Sequence, residues 1–238
     1  MKSFLLKLIN DKKFSWNCFK TLPYSETSLI ARCFVKDLGK VSFLVHGAHR
    51  KKSPMSAYFQ PANCLNLVFY FKESRELQTI SKASFNHSWS NISKDLKKIS
   101  YAMAMIELTD KCLTDNDSHN NLYNALLSSL KEVENSNNQL NLTYWHYQYS
   151  LLAFLGFKPD LNQSELDFVP LPNPFEGPNS KEIFNYFDLG EIEKNKIFKI
   201  TGKDRKVIST YLNTCLGIHF EGVKNLKSLK ILREILSN

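Results

Sequence analysis

Three adjacent cations, Arg50, Lys51 and Lys52, stand in the stretch "VHGAHRKKSPMSAYFQP", which runs from Val45 to Pro61. They lie between an alternating apolar segment and a proline-bounded loop, and Met55, Tyr58 and Phe59 follow at once. Like charges on a short turn repel one another, so the cluster destabilises the free chain unless an anion sits there. The chemistry this suits is electrostatic capture. Groups for covalent or metal chemistry are scattered instead. The six histidines (46, 49, 87, 119, 146 and 219) show neither HExxH nor other metal-ligand spacing. A GxxxxGK[ST] loop for a nucleoside triphosphate is absent. Ser25, Glu26 and His146 invite a hydrolase scheme, but a chain this rich in Ser, Glu and His holds such sets by chance. His146, inside "YWHYQY", reads as a core histidine with its hydrogen bonds satisfied. The five cysteines (Cys18, Cys33, Cys64, Cys112, Cys215) are odd in number, widely separated and form no CxxC pair, which predicts buried, reduced thiols. No enzymatic activity, cofactor or metal is expected.

Charge is distributed unevenly along the 238 residues. Residues 1–82 carry 14 Lys/Arg against 5 Asp/Glu, residues 83–193 carry 7 against 15, and residues 194–238 carry 10 against 3. Two basic ends flanking an acidic middle point to a polyanionic partner more strongly than a uniform net charge of +8 would. A composition 43% hydrophobic and 23% charged is that of a globular protein able to bury one large or two modest cores. No apolar run reaches the roughly 18–20 residues that span a bilayer. In "MKSFLLKLINDKK" Lys7 interrupts the apolar run and no small-residue cleavage site follows, so an intracellular, cytoplasmic protein is expected.

The elements that must position these groups change type near residue 90. "FSWNCFKTL" (14–22), "TSLIARCFV" (27–35), "VSFLVHG" (41–47), "CLNLVFYF" (64–71) and "RELQTISKASF" (75–85) read as five short strands. Leu29, Ala31, Cys33 and Val35, then Val41, Phe43 and Val45, then Leu65, Leu67, Phe69 and Phe71 fall on inward faces at period two, and Arg32 faces the other way. Five strands in about 80 residues suit a small closed barrel, of OB or SH3-like type. Helical periodicity follows. Ile92, Leu96, Ile99, Met103 and Ile106 share one stripe, and Leu122, Leu126, Leu130 and Val133 another. "LTYWHYQYSLLAFLGF" (142–157) is apolar almost all round, as a central buried helix ended by Gly156 would be. Residues 158–180 hold five of the eight prolines and read as an irregular loop. A last helix over 224–236 turns Leu226, Leu229, Leu232 and Leu236 inward, with Lys224, Lys227, Lys230 and Arg233 at three-residue steps. The expected fold is α+β: a β-barrel over 1–85 followed by an α-helical domain over 86–238.

"YSETSLIARCFVKDLGKVSFLVHGAHRKKSP" (24–54), "LQT" in the fifth strand, "LLAFLGFKP" (151–159) and "YLNTCLGIHFEGVKNLKSL" (211–229) resemble, in that order, the bacterial RecO recombination mediator family. The resemblance spans nearly the whole chain and is closest over 24–82. It implies an N-terminal OB-fold, a C-terminal helical domain and a non-enzymatic role. That role is to bind single- and double-stranded DNA, to anneal complementary strands and to help load the recombinase onto DNA coated by the single-stranded-DNA-binding protein. RecR and the acidic tail of the single-strand binder are the implied protein partners. One departure concerns zinc, which many members hold with a cysteine cluster just after the "LGF-x-P" stretch. Here that place reads "DLNQSELDFVPLPNPFEGPNS", without Cys or His. No zinc site is expected, and Phe168, Val169, Leu171 and Phe175 are expected to hold the loop by packing on the helices.

On such a barrel the basic loop is where backbone phosphates would lie and nearby aromatics would stack bases. The expected DNA contacts are Arg50, Lys51 and Lys52, with His49, Lys36, Lys40, Arg32, Lys72 and Arg75 in support. Tyr58 and Phe59 are candidate stackers, although apolar packing suits them better. An acidic peptide tail would need apolar walls with a cationic rim. Lys203, Arg205, Lys206, Lys224, Lys227 and Lys230 near Tyr211 and Leu226 could form one, or could extend the DNA track. Two other readings stand beside the mediator: an OB-fold RNA-binding module, and an adaptor that binds proteins with little DNA contact.

Overall fold

The computed structural model describes residues 14–87, 89–189 and 197–237. The N-terminal run "MKSFLLKLINDKK" lies outside them, as do the side chains of Arg233 and Leu236. Five strands, β1 (Phe14–Pro23), β2 (Leu29–Val35), β3 (Gly39–Val45), β4 (Cys64–Tyr70) and β5 (Leu77–His87), form a closed barrel in the order β1-β2-β3-β5-β4. β4 pairs back onto β1, and β3 and β5 run parallel. This order, with the short helix α1 (Met55–Tyr58) between β3 and β4, is that of the OB-fold. The period-two pattern sends Ala31, Cys33, Val35, Val41, Phe43, Val45, Leu65 and Leu67 into one core, each less than 4% exposed. All five cysteines are buried free thiols, and burial raises the Cys33 thiol well above its ordinary pKa.

The outer side of this barrel is not all solvent. Two compact units make up the chain: residues 1–94 with 113–123, and residues 95–112 with 124–238. The stretch Leu113–Tyr123 therefore belongs with the barrel. Phe34, on the outer face of β2, is fully buried against Phe19 and the edge of Tyr123, with ring centroids 5.9 and 5.4 Å away. Lys40 donates from Nζ to the Leu113 carbonyl at 2.7 Å, and the Asn116 N–H donates to the Lys40 carbonyl at 3.0 Å. Asp37 and Asn120 exchange two further bonds of 2.9 and 2.7 Å. Gly39 makes this approach possible. Its φ is +80°, and a Cβ there would lie 2.0 Å from the Asp117 carbonyl oxygen.

The second unit is helical: α2 (Leu96–Cys112), α3 (Asn120–Asn135, whose first turn lies with the barrel), α4 (Leu140–Phe154), α5 (Ser180–Asp188), α6 (Gly202–His219) and α7 (Lys227–Ser237). α4 is buried from Leu142 to Tyr149 on every side, as its unbroken apolar surface predicts. It ends where expected. Gly156 takes φ +87°, the Phe157 N–H reaches the Leu152 carbonyl at 2.8 Å and the Gly156 N–H reaches that of Ala153 at 3.2 Å, a Schellman stop. Leu126, Leu130 and Val133 are fully buried as their stripe predicts, and so is Leu122.

Two expectations hold only in part, for Ile92 and Ile106 of the first helical stripe are buried and Leu171 and Phe175 of the loop are half-buried. On α2, Leu96 and Ile99 are exposed, 62% and 36%, while Lys98, Thr109 and Asp110 are buried. Hydrogen bonds let polar side chains share the inward face with Tyr101, Met105, Ile106 and Leu108. Lys98 Nζ donates to the Glu134 carbonyl at 2.9 Å, and the Thr109 hydroxyl bonds both the Met105 carbonyl and Tyr147. In the proline-rich loop, Phe168 is 94% and Val169 40% exposed, with Phe168 in the turn between β6 (Glu165–Leu166) and β7 (Val169–Pro170). Neither holds the loop on the helices. Its C-terminal end is fastened by Asp204, whose carboxylate accepts from the Asn179 N–H (2.8 Å), the Thr201 N–H (2.9 Å) and the Thr201 hydroxyl (2.6 Å). The Asp204 N–H donates back to the Thr201 hydroxyl, closing a capping box at the start of α6. Burial alone would raise this carboxyl, but the donors outweigh it and hold it below its ordinary pKa. The zinc implied by the resemblance finds no fit: residues 158–180 contain no Cys or His, and the described residues include no metal-binding cluster of His, Cys, Asp and Glu.

His146 is in the core, beside Tyr186 and Phe187, yet its Nε2 has no hydrogen-bond partner among the described residues. Burial pulls its imidazole down to about 4. The unfolded chain binds a proton there below about pH 6.5, whereas the native state stays neutral down to about pH 4. Native stability therefore falls as pH drops through this window, by up to about 3 kcal/mol from this side chain. Urea titrations between pH 7 and pH 4 should show the loss, and His146→Phe should remove that component. Gly39→Ala should cost about 2–4 kcal/mol, because left-handed strain and a clash with main chain act together. Gly47→Ala, where the obstacle is the movable Arg50 side chain, should cost only about 1–2 kcal/mol in the same measurement.

Candidate nucleic-acid interface

Strand register assigns the loop cations to the two ends of the barrel. β2 and β3 are antiparallel, with Leu29 opposite Val45 at one end and Val35 opposite Gly39 at the other. The β1–β2 turn and the basic loop after β3 share the first end, where the His49 N–H donates to the Thr27 carbonyl at 3.0 Å. β5 runs parallel to β3 with Leu77 level with Ser42, so the β4–β5 loop emerges at the second end, beside Lys36 in the β2–β3 turn. Arg50, Lys51, Lys52 and His49 thus stand at one end, and Lys36, Lys72 and Arg75 at the other. The outward face of β2–β3 lies between them, the face on which OB-folds carry oligonucleotides.

At the first end, Gly47 (φ +65°) reverses the chain and two short-range bonds shape the turn, Arg50 N–H to the Gly47 carbonyl (3.2 Å) and Ser53 N–H to the Arg50 carbonyl (2.9 Å). The Arg50 side chain lies along the Gly47 backbone, where a Cβ would come 3.2 Å from its Cδ and Nε. Arg50, Lys51 and Lys52 are exposed, and among the described residues none of the three forms an ion pair. At the second end Gln78, 2% exposed, organises the loop. Its Oε1 accepts from the Lys72 N–H at 2.9 Å, and its Nε2 donates to the Lys72 and Arg75 carbonyls at 2.8 Å each. Exposed Lys72 and Arg75 then line a groove of about 510 Å³ with Tyr70, Phe71 and Ile80.

Not every predicted contact is available. Lys40 is 7% exposed and its ammonium is held by the Leu113 carbonyl, so it is withdrawn from the set a nucleic acid can reach. Arg32 on the β2 face donates from one nitrogen, Nη2, to both Asp115 oxygens, at 3.2 and 3.1 Å. Phe59 is fully buried in the barrel core, and Tyr58 is half-buried edge-on to Phe85, so neither presents an open ring face. Tyr24 in the β1–β2 turn and Tyr70 at the end of β4 are instead 57% and 56% exposed. Their signals were present: Tyr24 follows the strand-ending Pro23, and Tyr70 occupies a polar phase between Phe69 and Phe71.

In the helical unit the predicted cations do not converge on one pocket. Tyr211 is fully buried, edge-on to Phe184 and bonded to the Asp160 carbonyl, and cannot wall a surface site. Arg205 lines a cleft of about 540 Å³ with Lys97, Tyr101, Trp145 and Gln148. Burial pushes the Tyr101 hydroxyl up to about 12, although the Arg205 charge pulls it down. Lys224 and Lys230 border a hollow of about 250 Å³ with Val223, Leu226 and Leu229. Lys203 and Lys206 are exposed on α6 and line neither. Lys227, also exposed, opens α7, where Glu107 accepts from the Lys227 and Ser228 N–H groups at 3.1 and 2.8 Å. Burial would raise the Glu107 carboxyl, but the Ser228 and Lys227 donors hold it below its ordinary pKa, an anion capping a helix start.

A closed barrel of OB order with cationic loops at both ends, followed in the same chain by a helical unit, defines an OB-fold protein with an appended helical domain. Two family profiles then match it, "Recombination protein O N terminal" over residues 18–89 and "Recombination protein O C terminal" over residues 93–168, and the chain belongs to the RecO family. Among its relatives is the DNA repair protein RecO of Salinibacter ruber, 27% identical over 150 residues, which cover 63% of this chain but 58% of that protein. The DNA repair protein RecO of Bacillus pumilus is 24% identical over 91% of this chain and 94% of its own length. That of Chlorobium phaeobacteroides is 21% identical over 92% and 85%. Among the described residues no helix is long and apolar enough to cross a membrane.

Gln78→Ala removes three bonds that shape the Lys72–Arg75 loop and leaves the Lys72 and Arg75 main-chain groups without that partner. It should lower stability by about 1–3 kcal/mol in urea titration and speed proteolytic cleavage at the loop.

Proposed function

We propose that this chain is a DNA repair and recombination mediator that binds single- and double-stranded DNA through its barrel. It anneals complementary strands and helps load a recombinase onto DNA coated by single-stranded-DNA-binding protein. One observation carries the reading: three adjacent exposed cations, with no ion pair among the described residues, held on a hydrogen-bonded turn at one end of the OB face. Such a turn keeps its self-repulsion unless phosphates neutralise it, and Tyr24 and Tyr70 offer rings on which bases can stack. Annealing needs no bond made or broken by the protein, because neutralising two strands lets complementary bases meet. RecR and the acidic tail of the single-strand binder are the proposed partners, and the cytoplasm the proposed location. The Arg205 cleft and the Lys224–Lys230 hollow each join cations to apolar walls, as a carboxylate-rich tail requires.

The test is binding of a fluorescent oligothymidylate and a labelled duplex at about 50 and about 200 mM salt. Reversal of Arg50, Lys51 and Lys52 to Glu should weaken binding at least tenfold and reduce the magnitude of the salt slope by about 2–3. The wild type should accelerate pairing of complementary DNA strands without ATP. Equal binding by wild type and triple variant would overturn the reading, leaving an adaptor. Preference for RNA over DNA oligonucleotides, with no gain in DNA annealing, would turn it toward an RNA-binding module.

A further inference from the structure

Arg32 stands in the middle of the β2–β3 face, opposite Ser42, between the two cationic ends. Its Nη2 donates to both Asp115 oxygens, at 3.2 and 3.1 Å, a charge-assisted contact that it could equally make with a phosphate. Asp115 also lies 3.7 Å from Lys40 Nζ. We propose that Asp115 is an internal stand-in for a backbone phosphate, so that a strand crossing the barrel must displace it from Arg32. This rests on the nucleic-acid reading above and adds to it a residue that sets how tightly, and at what salt, the face is occupied.

The carboxylate is not what fastens its own segment. Three contacts independent of the Asp115 side chain do that: Lys40 Nζ on the Leu113 carbonyl, Asn116 N–H on the Lys40 carbonyl, and the Asp37–Asn120 pair. Asp115 is left 56% exposed and the Arg32 side chain 32%, open enough for an incoming phosphate to exchange with it. Ion pairs so open to water contribute little to stability, which suits a group that has to yield. A second carboxylate, Asp117, is exposed close by and paired with His119 at 3.1 Å. The segment thus sets negative charge on a face whose flanking loops are cationic.

Asp115→Asn keeps the shape and one acceptor while removing the charge. Fluorescence anisotropy with labelled oligothymidylate at about 50 mM salt should show about three- to tenfold tighter binding than wild type. The salt slope should steepen by about 0.7, one further phosphate on a single strand. In an Arg32→Gln background the same change should bring no gain, because the gain acts through the freed guanidinium. Thermal melting should stay within about 3 °C of wild type, as for loss of an exposed pair. Should the asparagine variant fold poorly, Asp115→Ser repeats the measurement. Unchanged or weaker binding by a folded variant, or an equal gain without Arg32, overturns the proposal. That outcome differs from failure of the nucleic-acid reading, in which the wild type and the Arg50–Lys52 reversal bind alike.

Discussion

Closure of the barrel is the constraint on which the rest depends. Parallel pairing of β3 with β5 and antiparallel pairing of β4 with β1 close the sheet on itself. Once the edges are gone, loops leave only at the two ends. Register alone then decides that the 49–52 cations sit at one end and Lys72 and Arg75 at the other. The interior is narrow and filled by Phe43, Phe69 and aliphatic side chains, with the two rings edge-to-face at 4.8 Å. A barrel so filled leaves its outside as the surface for binding.

That outside was the less legible part of the sequence. The inward residues were plain, because a buried strand face repeats every second residue and admits only apolar side chains. Phe34 shows why the other face was not. It sits in the polar phase of β2, yet Tyr123, almost ninety positions away, covers it. The same long-range packing buries Lys40 beside Leu113, a position that alternation marks as solvent-facing. The run of Arg50, Lys51 and Lys52 needed no tertiary information to be noticed. Gln78 carried no local signal, since its three bonds go to a loop whose conformation exists only in the folded barrel.

In the helical unit, legibility followed the degree of apolar contrast. α4 is uniform and was read well, and its glycine stop is a local device. α2 was misread because a threonine and a lysine point inward there, each with a hydrogen-bond partner on another element. Periodicity weighs hydrophobicity and cannot see a partner. The anchoring of the proline-rich loop fails to appear for the same reason. Asp204 acts across twenty-five residues on Asn179, and Gly177 is needed there because a Cβ would come 2.5 Å from the Asp204 carboxylate. Phe168, apolar and expected to be inside, is instead displayed on a turn with both central residues, Asp167 and Phe168, at positive φ.

The cysteines have a consequence of their own. A sulfur attacks peroxides and alkylating agents as its anion, and each of the five here is shut away from water, with Cys33 and Cys215 made still harder to ionise by their burial. Maleimide or hydrogen peroxide should find almost nothing to react with until the fold opens. Native preparations can therefore be handled in air without a reducing agent, and the onset of thiol labelling becomes a ready gauge of unfolding.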